Sequence, residues 1–515
     1  MAVSTAASVR GVSLHRPPAL TGLADLLDQS VRERPAATAL VVTADRVRLT
    51  YRALDTLVDD AARRLARAGL RRGDTVALVC ADTVEFVVGL LGTARAGLVA
   101  APVDPGWAAG QLADRIEGLG ARAVLASADL DVPGAWTLGV DVPRTAVELE
   151  PGDLCERRRG PGPHPDDSLV LFTVGTSDRA KMVPLTRANV TAAVRGICGT
   201  YELGPGDATV AVMPFFHSHG LLATLLSSLA SGGCVLLPDG GRFSAATFWD
   251  DVRAVAATWF TAVPAVHELL LERAELDYPG PGAAPLKFVR SAGAPLNTAT
   301  QRALERTFGA PLLTAYGMTE STHQVTSEPL PQHGFLKHAS AGRPTGVELR
   351  IADADGRPCP TGTEGEVWVR GPAVARGYLA DPAATARSFL DGWLRTGDLG
   401  RLDEDGYLFL SGRIRNLIHR GGRRISPEYV EDILAGCPGV LEAAVYGLPD
   451  AELGQRVGAA VVVREGEYLG SEQVLHYCRG RLAMPGVPDR VEIVGALPHT
   501  AQGGLDRQAI RAMFA

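Results

Sequence analysis

Short apolar runs alternating with helix-spaced segments constrain this chain more than any other feature. TVALVCA (75–81), LVAAPVDP from Leu98 and RAVLAS from Arg122 each suit a buried strand, and VEFVVGLLGTARAG between the first two has helical spacing. Strands that alternate with helices predict an α/β fold with parallel sheets covered by helices. From Val367 the pattern changes. VWVRGP, YLFLSG and LRIADADGRP read as hairpin strands, with Asp-Gly turns at 355–356 and 405–406, so a β-rich subdomain is expected. A third pattern follows residue 415. PEYVEDILAG is a helix ending at Gly436, VLEAAVYGLPD and AAVVVREG are strands, and SEQVLHYCRGRLA is an amphipathic helix with Ser471 as its expected N-cap. At 515 residues the chain is too long for one ordinary domain. The expected division is a large N-terminal domain, 1–414, and a small mobile α+β domain, 415–515.

Composition narrows the function classes. A net charge of −7 argues against a broad nucleic-acid footprint, which needs basic surface. The seven cysteines are scattered without CxxC or metal-ligand spacing, so reduced thiols in a cytoplasmic protein are expected. The first residues, MAVSTAASVRGVSLHRPP, lack the apolar core of a secretory signal. The longest uncharged apolar stretch, Leu221 to Leu237, carries three serines and Gly232-Gly233, and fits a buried helix turning into a strand better than a membrane span. Lysine is scarce: of 51 basic residues only Lys181, Lys287 and Lys337 are lysines, and none follows position 337.

Several segments carry chemistry. LFTVGTSDRAKMVPLT (171–186) is a glycine- and hydroxyl-bearing loop after an apolar strand, able to aim backbone N–H groups at phosphates with Lys181 as a point charge. In isolation, a polar surface turn is the readier reading. In TAYGMTESTHQ (314–324), Tyr316 offers a flat face for a base, Thr319 a hydroxyl for a phosphate and Glu320 a hard oxygen for magnesium, although a strand end with a capping Thr-Glu pair reads the same. WLRTGDLG (393–400) sets Asp398 in a glycine-flanked turn, where its carboxylate could accept two ribose hydroxyls or close an Asx turn.

Order and spacing decide between these alternatives. MPFFHSHGL (213–221), RSAGAPL (290–296), YGMTE, GRPTGVEL (342–349), GEVWVRG (365–371), WLRTGDLG and GRIRNLIHRGGRRISPEYVE (412–431) follow one another along the chain. In this order they resemble the acyl-CoA synthetase and adenylate-forming (AMP-binding) superfamily over nearly the whole length. The resemblance implies two half-reactions: a carboxylate joins AMP from Mg-ATP, then the C-terminal domain rotates and CoA thiol displaces AMP. It also implies roles for matching positions. Ser291, Gly293, Ala294, Tyr316 and Gly317 would hold the adenine, Thr319 the α-phosphate, Asp398 the ribose and Glu320 the magnesium. Arg413 would contact the nucleotide and Arg415 would be the hinge, while Gly421 and Gly422 would line the path of the CoA arm. His217 would gate an acyl pocket that includes His219, Ala223, Phe260 and Met318. Many pocket-wall residues are small, which admits a bulky acyl group and equally suits a packed core.

Two departures from the family pattern sharpen the reading. The phosphate loop of the family reads close to YTSGTTGRPKGV, and here it is FTVGTSDRAKMV. Thr173, Gly175, Thr176 and Lys181 remain, while Val174, Asp178, Ala180 and Met182 replace serine, glycine, proline and glycine. Lost glycines remove access to positive φ and close the space for phosphate. The carboxylate of Asp178, at roughly 4 Å from pyrophosphate and an effective ε near 20, would cost about 4 kcal/mol before screening, on the order of a thousandfold in affinity. The second departure is LPHTAQGGLDRQAI (497–510), where Gly504 stands at the position of the lysine that bridges carboxylate and α-phosphate during adenylation. Losing one preorganised donor costs on the order of 10²–10³ in rate.

The expected function is therefore thioester formation from an acyl-adenylate and CoA, with ATP-dependent adenylation weak or absent. The adenylate would come from a separate adenylating enzyme or from outside. In this the chain resembles a ligation-only acyl-CoA ligase of actinobacterial diterpenoid antibiotic biosynthesis. Two alternatives stand beside it: a complete ATP-dependent ligase in which Arg424 or Arg507 replaces the lysine, and an inactive acyl-nucleotide-binding partner protein. Intact nucleotide, hinge and CoA positions argue against the last.

Overall fold

The computed structural model describes residues 9–10, 20–42, 46–155, 163–173, 180–482, 484–499 and 505–514. The expected alternation builds a seven-stranded sheet in the order Met182–Thr186, Asp167–Phe172, Val99–Pro102, Thr75–Val79, Ala123–Ser127, Trp136–Asp141, Ala146–Glu150. Its middle strands run parallel and its edges are antiparallel. Thr75–Val79 is buried at every position. A strand covered on both faces has no polar side to show, so its sequence is a continuous apolar run. The next helix, Val84–Arg95, lies close against Tyr51–Arg67, because a Cβ on Gly92 would come within 2.7 Å of the Ala61 methyl.

A second sheet places the candidate site. Strands β1 (Trp259–Ala262), β2 (Phe288–Ala292) and β3 (Leu312–Tyr316) are parallel, and Thr326–Ser327 and Arg343–Pro344 extend the sheet antiparallel. The segment 221–237 turns from a helical stretch, wound as a π-helix over His219–Leu226, into the strand Cys234–Leu237. Among the described residues no helix is long and apolar enough to cross a membrane. The seven cysteines are unpaired, and Cys80, Cys198, Cys437 and Cys478 are buried.

The β-rich part is a six-stranded sheet that includes Glu348–Ala352, Gly365–Arg370, β4 (Trp393–Leu402) and β5 (Leu408–Arg413). The Asp-Gly turn at 405–406 joins β4 to β5, with Gly406 at φ +78°. Asp403 ties that turn by accepting the amides of Asp405 and Tyr407 at 3.0 and 2.8 Å. WLRTGDLG is a strand here rather than the expected turn: the ladder to β5 continues through it, and its glycines mark a register shift at Leu399/Gly400.

After β5 a single turn, Ile414–Asn416, leads to a five-stranded sheet with its own core, built on Val430, Leu434, Val445, Val457 and Val474. Helix α1 (Pro427–Ala435) is capped by Ser426 and stops at Gly436. The helix expected to be capped by Ser471 begins one residue earlier than that reading. Gly470 is the cap and its amide donates to Gln473 Oε1 at 2.7 Å, leaving Ser471 as the first helical residue. Helix α2 (Arg507–Phe514) closes the chain's described part. The architecture is a large α/β N-terminal domain of mixed parallel sheets, a β-rich layer and a small C-terminal domain.

Gly342 joins the edge of the second sheet to the β-rich sheet, its carbonyl accepting from Leu408 N at 2.8 Å. At φ +78°, a Cβ there would fall 1.8 Å from the Ser327 carbonyl carbon, whereas at Gly346 (φ +79°) it would meet nothing within 4 Å. Gly342→Ala is expected to lower stability by about 3 kcal/mol or more and Gly346→Ala by about 1 kcal/mol. Urea-denaturation midpoints measure both.

Candidate active site

Parallel strands β1, β2 and β3 end side by side, with Thr261 opposite Arg290 and Ser291 opposite Thr314. Loops leaving the C-terminal ends of such strands are where ligands bind in α/β sheets. Beyond β2 the chain turns at Gly293 (φ +94°), which is exposed along with Ala294, while the Ser291 hydroxyl is buried without a hydrogen-bond partner among the described residues. Beyond β3 the loop folds back so tightly that a Cβ on Gly317 would lie 1.6 Å from the His323 carbonyl oxygen. That turn carries Met318 and the short helical segment Thr319–Ser321, all beside the end of β3.

Asp398 joins this loop cluster to the β-rich sheet. It pairs in register with Arg413 across β4 and β5, and the Arg413 Nε lies 2.9 Å from its Oδ1. The Tyr316 hydroxyl donates to Oδ2 at 2.6 Å. The residue is 4% exposed. Burial pushes its carboxyl up from the ordinary value, opposed by the Arg413 cation and the Tyr316 hydrogen bond. Burial and the Asp398 charge in turn push the Tyr316 phenol well above its usual range. Three expected nucleotide residues therefore share one buried contact.

A second group forms around Tyr378, which the sequence reading did not single out. The Lys181 ammonium lies 4.5 Å from the centre of its ring, and its hydroxyl donates to Glu320 Oε1 at 2.8 Å. Backbone pairing holds Lys181 in place: Thr173 N donates to Lys181 O at 2.8 Å, and Lys181 N donates to Thr173 Oγ1 at 3.0 Å. One ring thus separates the expected phosphate cation from the expected magnesium oxygen. A single carboxylate supplemented by phosphate oxygens is a donor set that suits magnesium. Gly175, Thr176 and Asp178, like Gly504, lie outside the described residues.

The expected acyl end holds His217 and His219. Burial pushes the His217 imidazole down to about 4, so it is neutral at pH 7. His219 Nε2 meets Thr261 Oγ1 at 2.6 Å and Arg290 Nη1 at 3.2 Å. Arg290 is 1% exposed and spends its donors on neutral groups. Its Nε donates to Tyr201 Oη at 2.8 Å, Nη1 to Thr261 Oγ1 at 3.0 Å, and Nη2 to His323 Nε2 and Gln324 Oε1, each at 3.0 Å. Ala223 and Phe260 are fully buried, Phe260 within an aromatic group with Phe248 and Trp249 on the face of β1 opposite Thr261. Arg290 and His323 were missed. A lone arginine inside the apolar strand FVRSA was the available signal.

Beyond β5, Arg415 is exposed on the connecting turn, and Asn416 Nδ2 donates to Glu428 Oε1 at 2.6 Å. Gly421 and Gly422 (φ +55° and +76°) form the exposed tip of a hairpin, with Arg424 exposed on its return strand. Arg507 is occupied. Its Nη1 and Nη2 pair with Glu431 Oε1 and Oε2 at 2.5 and 2.6 Å, fixing α2 to α1 with only 17% of the side chain exposed.

Tyr316→Phe removes one of the two partners that the buried Asp398 carboxylate has among the described residues. A loss of about 1–3 kcal/mol is expected, read from the urea midpoint, with Tyr51→Phe as a comparison that removes hydrogen bonds to two carbonyls and no charge.

Comparison with known proteins agrees with this geometry. The AMP-binding enzyme family model matches residues 27–379, and that of the AMP-binding enzyme C-terminal domain matches 429–503. The chain is 40% identical over 512 residues to an oxalate–CoA ligase of Arabidopsis thaliana, covering 96% of this chain and 98% of that one. A sulfoacetate–CoA ligase of Cupriavidus necator is 34% identical over 89% of this chain and 91% of its own. Among solved structures, ATP-bound MatB from Rhodopseudomonas palustris superposes with a TM-score of 0.84 at 28% identity, covering 95% of this chain and 99% of that one. With both family models in order and likeness to CoA ligases along nearly its full length, the chain belongs to the AMP-binding enzymes, in the acyl-CoA ligase family.

Proposed function

We propose that this acyl-CoA ligase is specialised for the second half-reaction, moving an acyl group from a preformed acyl-adenylate to CoA. The observation that carries the reading is Gly504 at the position of the adenylating lysine, in a chain with no lysine after Lys337. Glycine supplies no charge to a developing pentavalent phosphate. Arg507, the nearest substitute in sequence, is paired at both ends of its guanidinium with Glu431, which supports the same reading. Asp178 in the phosphate loop adds repulsion toward a triphosphate and less toward a single phosphate.

Thioester formation makes fewer demands. Tyr316, Asp398 and Arg413 would hold the adenosine and Thr319 the phosphate, with Ser291, Gly293, Ala294 and Gly317 around the base. The C-terminal domain, 415–515, would turn about Arg415 relative to 1–414 and bring the Gly421–Gly422 tip to the CoA arm. Sulfur attacks the carbonyl carbon of the mixed anhydride. A C–S bond forms, the acyl C–O bond breaks, AMP leaves with the electron pair, and the thiol proton passes to solvent. A neutral His217 at the mouth of the acyl pocket suits that step, since it adds no charge to the approach. A reference thiol pKa of about 8.5 gives CoA enough thiolate for positioning to do the rest. Glu320 fits a magnesium ion and Lys181 an ATP phosphate. These retained groups favour a second reading, a complete ATP-dependent ligase. Under the first reading a separate adenylating enzyme supplies the adenylate, in the cytoplasm and in a secondary-metabolic setting.

Two incubations distinguish them, one with synthetic acyl-AMP and CoA and one with free acid, Mg-ATP and CoA. Thioester from acyl-AMP with no ATP–pyrophosphate exchange is the expected result, and brisk exchange overturns the proposal. Gly504→Lys alone is expected to leave exchange low, because Asp178 still repels ATP. Asp178→Gly combined with Gly504→Lys is expected to raise exchange by about tenfold or more over either single change.

A further inference from the structure

Arg290 is a cation 1% exposed, and among the described residues no carboxylate pairs with it. Its acceptors include two imidazole nitrogens, Nε2 of His219 at 3.2 Å and Nε2 of His323 at 3.0 Å. A guanidinium only donates, so each of those nitrogens must be bare and the ring proton must sit on Nδ1. The Thr261 hydroxyl agrees. It accepts from Arg290 at 3.0 Å and so has its own proton free to give His219 Nε2 at 2.6 Å. Adding a proton to either ring would break its bond to Arg290 and set a second cation within about 3 Å of the first.

We propose that Arg290 is a positioning residue of the acyl end of the site: it clamps His219 and His323 as neutral, Nδ1-protonated rings and prevents them from titrating. The two rings stack with centroids 4.9 Å apart, and neither Nδ1 has a hydrogen-bond partner among the described residues, although each histidine is 6% exposed. An N–H donor left open in this way can give its proton to an acceptor on the ligand. The other groups facing the pair are His217 on the preceding turn, His267 on helix Pro264–Glu272 and Tyr201 on helix Arg187–Tyr201. None is an acid that could stabilise an imidazolium. Burial and the Arg290 charge push His219 and His323 well below the ordinary imidazole range, and burial holds His267 near 4. The inference rests on the acyl-transfer reading for its kinetic consequence but not for its geometry.

Nitrogen-15 spectra of histidine-labelled protein test the geometry without substrate, with signals assigned by their loss in His219→Gln and His323→Gln. Both rings are expected to be Nδ1–H and to stay neutral as the pH falls through the ordinary imidazole range. Titration near the reference value of about 6.5, or an Nε2–H ring, overturns the proposal. The kinetic test compares thioester formation from acyl-AMP in Arg290→Gln, Arg290→Lys and the parent, as ratios to the parent that cancel the titration of the CoA thiol. For Arg290→Gln the ratio of kcat/KM is expected to fall about tenfold from about pH 7.5 to 5.5, as freed imidazoles protonate. For Arg290→Lys it should stay flat. A ratio for Arg290→Gln that is equally low at every pH marks a purely structural residue. Absence of thioester in the parent would sink the functional reading, while the spectra would still decide the state of the rings.

Discussion

The buried carboxylate of Asp398 ties three distant stretches of the chain into one site. Tyr316 reaches it from the end of a parallel strand, Arg413 from the paired hairpin strand, and the connecting turn to the C-terminal domain begins at the next residue. A carboxylate that is 4% exposed needs both partners. The second sheet and the β-rich sheet therefore meet at this carboxylate. Gly317 and Gly342 keep the loop and the sheet edge beside it tightly folded, since each has backbone of its own loop or sheet within 2 Å of where a Cβ would be.

Much of this arrangement was readable beforehand, for an identifiable reason. The continuous apolar run at 75–81 and the Asp-Gly turn at 405–406 are local signals, in which a few neighbouring residues carry the whole constraint. The capping of α1 by Ser426 and its stop at Gly436 are equally local. Asp398 was assigned to a turn because its flanking glycines have the composition of one. Its strand conformation comes from a ladder to residues 408–413, which lie further along the chain. Gly470 displaced Ser471 as a cap through the Gln473 side chain, a shift of one residue within the ordinary spread of helix boundaries.

What could not be read was contact across long separations. Tyr378 and Glu320 are 58 residues apart, and Arg290 gathers Tyr201, Thr261 and His219 from 89, 29 and 71 residues away. No periodicity encodes such meetings. The shared register of β1 and β2 creates them, placing Thr261 beside Arg290 on one face and sending Phe260 into the aromatic core on the other. Arg507 teaches the complementary point. By sequence it was a free cation near a missing lysine, and in space it is the bidentate partner of Glu431, spent on holding the last helix to its own domain.

Tyr378 has a consequence beyond binding. Its phenol donates to a carboxylate while an ammonium rests on its ring, so the chromophore feels two opposite charges at once. Displacing the ammonium would leave that phenol facing the Glu320 carboxylate alone.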